Sequence, residues 1–149
     1  MIRVQQEAFD AGREFNAMLA AAKDSGAAAC FVGLVREMGE TGRIRAMTLE
    51  HYPGMTEREL GRIEHEARAR FRLDGALIVH RFGRLLPGDP IVLVIALAKH
   101  RQDAFAAAQF LMDYLKTKAP FWKEETGESG VAWVEARQSD DEAAAHWKK

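Results

Sequence analysis

From Arg101 to Lys118, apolar residues recur at Ala104, Ala108, Leu111 and Leu115, flanked by Phe105 and Met112. Steps of three and four put these side chains on one face, which predicts an amphipathic helix that Pro120 stops. A second helix is predicted from Thr56 to about Phe71, striped by Leu60, Ile63, Ala67 and Phe71. Its opposite face pairs Glu64 with Arg68 and Glu66 with Arg70 at i,i+4, and Thr56 with Glu59 forms a capping-box pattern at its start. A third helix runs from an Asp10 cap to about Lys23, with Phe15, Leu19 and Ala22 on one face, and ends at Asp24-Ser25-Gly26.

The strands follow from the other period. Ala27 to Arg36 is apolar on both alternating faces and predicts an interior strand. Met47 and Leu49 alternate with Thr48 and Glu50 between Ala46 and His51, which predicts a half-buried strand broken by Pro53-Gly54. Ala76 to Phe82 and Ile91 to Ala98 are two more, joined through the turn Pro87-Gly88-Asp89-Pro90. Ile2 to Val4 and Val131 to Glu135 are short strands at either end, and the segment after Ser139 is a helical or frayed tail. Glu37 to Arg43, with Gly39 and Gly42, reads as a mobile loop. The order β-α-β-β-α-β-β-α-β implies an α+β fold with a largely antiparallel sheet, in one domain spanning residues 1–149.

Composition narrows the function classes. With 48% apolar and 29% charged residues over 149 positions, the chain has enough material for a core and is not disordered. A formal net charge of -1 argues against general nucleic-acid coating. The single cysteine, Cys30, excludes an internal disulfide and a Cys/His zinc box; lying in the apolar run Ala27–Val35, it reads as a small buried hydrophobe. Five histidines show no metal-ligand spacing. The first ten residues lack the form of a signal peptide, and no run approaches the roughly 18 apolar residues of a membrane span, so a soluble cytoplasmic protein is expected. GxSxG, Walker, GxGxxG, HExxH and EF-hand patterns are missing from the sequence.

Positive charge is concentrated instead. Between Lys99 and Lys123 stand Lys99, Arg101, Lys116, Lys118 and Lys123 against Asp103 and Asp113. Lys99-His100-Arg101 lies where a strand feeds a helix start, a place that suits an anion. Lys116 and Lys118 fall in the helix's last turn, where their ordinary role is to satisfy the helix dipole. Lys123 follows Phe121 and Trp122, bulky neighbours that desolvate an ammonium, lower its pKa and make it usable as an acid or base. Arg36 ends an apolar strand at a glycine-bearing loop. These residues describe an anion-binding pocket with candidate lysines, not a reaction.

Several segments together resemble the large, catalytic subunit of molybdopterin synthase: FVGLVR from Phe31 to Arg36, LEHYPGMT from Leu49 to Thr56, VHRFGRLLPGD from Val79 to Asp89, His100-Arg101, MDYLKTKAPFWKE from Met112 to Glu124, and WVEAR from Trp133 to Arg137. The resemblance runs from about Val4 to Asp140. It implies an α/β hammerhead with an additional antiparallel β subdomain. It also implies conversion of cyclic pyranopterin monophosphate (precursor Z) into molybdopterin. The sulfur would come from the C-terminal Gly-Gly thiocarboxylate of a small ubiquitin-like sulfur-carrier subunit. A homodimer with one small subunit at each end, a heterotetramer, is the implied assembly, and no cofactor, metal or ATP site is implied.

Residue by residue, the resemblance assigns Lys116 and Lys123 as catalytic, and Arg36, His100, Arg101 and Arg137 as substrate-binding. Phe31, Met112 and Phe121 would line the channel for the partner's tail, and Arg137 is expected to reach the neighbouring subunit's pocket. The rival expectation is a non-catalytic dimeric α+β module that binds an anionic ligand or a small acidic protein. That module would tolerate Lys123→Arg, because charge alone would suffice.

Overall fold

In the computed structural model, residues 1–39, 42–128, 130–134 and 137–148 are described. In chain order the elements are β1 (Ile2–Gln5), α1 (Ala11–Ala21), β2 (Ala27–Leu34), β3 (Met38–Gly39), β4 (Gly42–His51), α2 (Met55–Phe71), β5 (Gly75–Arg81), β6 (Gly83–Leu85), β7 (Pro90–Ala98), α3 (Arg101–Thr117), β8 (Phe121–Gly127), β9 (Gly130–Val134) and α4 (Gln138–Ala145). A 3-10 turn over His146–Lys148 follows. No helix among the described residues is long and apolar enough to cross a membrane.

The first sheet has the order β1-β5-β7-β2, with β1 parallel to β5 and the other pairs antiparallel. Because side chains alternate along a strand, its two faces carry different residues. Ile78, Val94, Ala96 and Ala29 meet Leu60, Ile63 and Phe71 of α2 and Ala104, Phe110 and Leu111 of α3. Leu77, Val79, Leu93 and Ile95 meet Phe9, Phe15 and Met18 on the α1 side. Burial on both faces explains the continuous apolar run of β7. The second sheet is antiparallel, β3-β4-β8-β9 with β6 also on β4, over a small core of Val35, Ile44, Met47, Leu49 and Leu85. The chain is thus α+β with an added antiparallel subdomain.

The structure corrects several expectations. β2 is not interior: it is an edge strand of its sheet, and Phe31 and Leu34 stand 43% and 55% exposed. Cys30 is exposed rather than buried, because α1 covers only part of that face. Its thiol is pushed up by partial desolvation, the opposite of an activated thiolate. The segment Glu37 to Arg43 is not a plain loop: Met38 pairs with Arg43 and Gly39 with Gly42, a hairpin whose positions 40 and 41 lie outside the described residues. The last strand ends at Val134, and Glu135 also lies outside them.

The Thr56–Glu59 capping box does not form. Gly54 is the N-cap, at φ 85°, and its N–H donates to Glu57 Oε2 at 2.5 Å. Thr56 is wholly buried instead. Its hydroxyl accepts from the Tyr52 N–H at 3.0 Å and donates to the Pro120 carbonyl at 3.1 Å. One side chain therefore joins the end of β4, the start of α2 and the start of β8. The tail is helical and docked: Trp147 Nε1 donates to Asp113 Oδ2 at 2.7 Å, and its ring meets Phe71 and Phe110 edge-on.

Candidate active site

β2 and β5 finish where β7 begins, since Leu34 pairs with Pro90 and His80 with Val92. α3 packs along β7 and β2 and runs back from the far end of β7, so its last turn returns to the same sheet end. There the chain turns through Ala119-Pro120 directly into β8. This topology gathers Arg36 beyond β2, His80 at the end of β5, Lys116 in the last turn of α3, and Phe121 and Lys123 at the start of β8. β8 then pairs with β4, setting Lys123 opposite Leu49 and Phe121 opposite His51.

Lys123 is half-buried. Desolvation pushes its ammonium below the usual lysine value, and the positive charges of Lys116, Arg137 and Arg36 push the same way, while Glu125 opposes them. Lys116 stands exposed beside it. A lysine with its charge disfavoured by burial and by like charges is easier to deprotonate, as proton transfer near neutral pH requires. A bound anion would offset the repulsion among four cations, so the cluster suits a phosphate-bearing ligand.

Below the lysines lies a histidine that periodicity gave no reason to single out. His80 is buried, its ring stacked on Phe121 with centroids 3.8 Å apart and planes 18° apart. Burial, with Lys116, His51 and Lys123 nearby, pulls its pKa down to about 4, against the effect of its hydrogen bond to Arg81. His51 packs on Phe82 at 4.1 Å and lies 3.8 Å from Glu57. The available signal was polarity out of place: a histidine at an inward position of an otherwise apolar strand.

Met112 is half-buried one turn before Lys116, on the same helix face and against the main core, where Phe121 also packs. Phe31 pairs with Val94 and stands exposed on the α3 side of β2. Arg137 is exposed at the N-cap of α4, its N–H donating to Asp140 Oδ2 at 3.3 Å. Its charge also acts on Lys123 of its own chain.

His100 and Arg101 are not part of this cluster. They are exposed at the start of α3 and line a polar cleft of ≈ 490 Å³ with Gly26, Lys99 and Gln102. The helix between Arg101 and Lys116 spans about 22 Å at 1.5 Å per residue. Gly26 permits that cleft's tight floor, because a Cβ there would meet the Lys99 carbonyl oxygen at 2.1 Å. One chain therefore carries two cationic groups at opposite ends of one helix.

The profile of the MoaE protein family matches residues 4–118. The molybdopterin synthase catalytic subunit of Pseudomonas aeruginosa is 53% identical over 148 residues, covering 99% of each chain. Among solved structures, the molybdopterin biosynthesis MoaE protein from Burkholderia ambifaria superimposes with a TM-score of 0.83 at 52% identity, covering 100% of this chain and 98% of that one. A molybdopterin synthase structure from Staphylococcus aureus gives a TM-score of 0.78 at 29% identity over 89% of this chain and 95% of that one. The half-buried lysine at the sheet end thus sits in a chain that matches these proteins along nearly its whole length, and the chain belongs to the MoaE family of molybdopterin synthase catalytic subunits.

Proposed function

We infer that this chain is the sulfur-transferring subunit of a molybdopterin synthase. It acts on cyclic pyranopterin monophosphate and takes sulfur from the C-terminal thiocarboxylate of a small ubiquitin-like partner. The observation that carries the reading is the convergence of Lys116 and the half-buried Lys123, with Arg36 and Arg137 close enough to act on Lys123.

Arg36 and Arg137 hold the cyclic phosphate with charge-assisted hydrogen bonds. The partner's Gly-Gly tail lies extended past Phe31, Met112 and Phe121, where the lack of side chains lets it enter a narrow channel. In each round the thiocarboxylate sulfur forms a C–S bond to a side-chain carbon of the pterin as that carbon's bond to oxygen breaks. At the keto carbon the oxygen takes up protons and leaves as water; at the ring carbon the phosphate ester oxygen leaves and the cyclic phosphate opens. Water then adds to the acyl carbon and the acyl–sulfur bond breaks, leaving sulfur on the pterin and a carboxylate on the partner. Lys116 stabilises the negative charge of the thiocarboxylate and of the tetrahedral state. Lys123 gives and takes the protons that sulfur addition and opening of the phosphate ring require. Two rounds with two loaded partners complete the dithiolene.

The working unit is a homodimer carrying a small subunit at each end. The separation along α3 supports this: His100 and Arg101 stand about 22 Å along the helix from Lys116 of their own chain, so they can join a lysine cluster only if it belongs to a second copy. The test is to mix the chain with thiocarboxylated small subunit and precursor and to assay dithiolene formation. Product formation is expected; anion binding without product would leave the non-catalytic module as the better reading.

A further inference from the structure

The floor of the lysine cluster holds a group that none of these roles uses. His80 Nδ1 lies 2.8 Å from the Arg81 carbonyl oxygen, an atom that only accepts, so Nδ1 carries the proton and Nε2 the lone pair. The ring plane is fixed by Phe121 at 3.8 Å. Lys123 follows Phe121 by two positions and so shares its face of β8. The charged or titratable groups acting on the ring come from three elements: Lys116 from α3, His51 from β4 and Lys123 from β8. A histidine that stays neutral in such company offers an acceptor without adding to the positive charge.

We propose that His80 is a positioning residue of this site: a neutral imidazole, its tautomer set by the Arg81 carbonyl and its plane by Phe121, whose Nε2 lone pair accepts a hydrogen bond from the Lys123 ammonium in the loaded site. The inference rests on the reading of Lys123 as the proton-moving group. Electrostatic reach between ring and ammonium closes to a hydrogen bond when substrate enters, as catalytic contacts commonly tighten on loading. The ammonium then has one fixed partner below and its remaining protons face the substrate. A glutamate there would also orient the lysine, but it would cancel the charge that holds the phosphate and would raise the pKa that burial has lowered.

Two variants and one titration test this. His80→Phe keeps an aromatic stack on Phe121 and removes the acceptor; His80→Gln keeps an acceptor near the Nε2 position. In the reconstituted reaction, His80→Phe is expected to lower kcat about tenfold with KM unchanged. It should also move the alkaline limb of the kcat profile down by about one pH unit, since the ammonium loses a stabilising partner. His80→Gln restores both. In the unmodified protein, ring NMR should show the Nδ1–H tautomer and no titration of His80 between pH 6 and pH 8. A wild-type profile in His80→Phe, a His80→Gln variant as impaired as His80→Phe, or an Nε2–H tautomer overturns the proposal. If the unmodified protein forms no dithiolene, the functional reading fails separately. Lys123 titration followed by NMR at saturating inorganic phosphate, in the unmodified protein and in His80→Phe, still decides this proposal, and a Lys123 pKa that is the same in both sinks it.

Discussion

Lys123 gains its chemistry from where its strand begins. Phe121 and Trp122 beside it announce a desolvated ammonium, and the structure adds the like charges of Lys116, Arg137 and Arg36. Arginine in its place keeps a charge but holds its proton too firmly to exchange it. Lys123→Arg is therefore expected to bind precursor and partner nearly normally and to lose turnover on the order of a hundredfold, read by single-turnover dithiolene formation beside a binding isotherm. His80 sets an acid limit on the fold. Its pKa falls from 6.5 to about 4, so the unfolded chain takes up the proton first. Its contribution to stability is whole above pH 6.5, declines as pH falls, and levels off below pH 4, at a cost of about 3 kcal/mol. Urea unfolding at pH 7 and pH 4.5 checks this: His80→Gln should lose less stability between the two than the unmodified chain. The Lys123 environment was legible only in part: Phe121, two positions earlier, shares its face, whereas Trp122 lies on the other face, packed on Tyr52. That of His80 was not legible, because its partners come from two other strands and a helix.

The elements that build the site differ in how plainly they are written. α3 and α2 follow from their apolar stripes, and β7 from its unbroken run, because each buries a face whose period sequence records. β8 carries no such record. It alternates Phe121, Lys123 and Glu125 with Trp122, Glu124 and Thr126, so neither face is uniformly apolar, and its strand state comes from pairing with β4 and β9. β2 misled in the opposite sense, since apolar residues on both faces suggested an interior strand where the chain has an edge. The T-x-x-E pattern at Thr56 also misled: the helix begins one residue earlier, and the hydroxyl is spent on Tyr52 and Pro120. Thr56→Val keeps the shape and strands two backbone groups, which should cost about 1–3 kcal/mol in chemical unfolding and also lower turnover, because Pro120 sets the start of β8. Trp147→Ala removes the Asp113 hydrogen bond and the contacts with Phe71 and Phe110. A loss of about 2–4 kcal/mol is expected, with faster amide exchange along α4, the element that follows Arg137.

At the scale of the whole molecule, the resemblance supplied what physical reading alone did not: a reaction, a sulfur donor and a partner. The distribution of the cations over two ends of one helix was legible in the helix spacing, and the structure adds that Lys116 joins Lys123 and Arg36 while His100 and Arg101 do not. If each pocket takes its lysines from one copy and His100 and Arg101 from the other, two damaged chains can repair each other. Lys123→Ala and Arg101→Ala should each be nearly inactive alone, and an equimolar mixture allowed to exchange subunits should recover about a quarter of the unmodified activity. No recovery would place the whole pocket within one copy. The helix between them then acts as a spacer bar, touching one reaction centre with its first turn and another with its last. Its length is constrained in a way its exposed surface is not. Exchanging Gln102 for another polar residue leaves the span intact, whereas a single alanine inserted after Ala106 lengthens it by about 1.5 Å and turns one end about 100° against the other. Such a lesion would put both centres out of alignment at once, so in this helix substitutions are affordable and insertions are not.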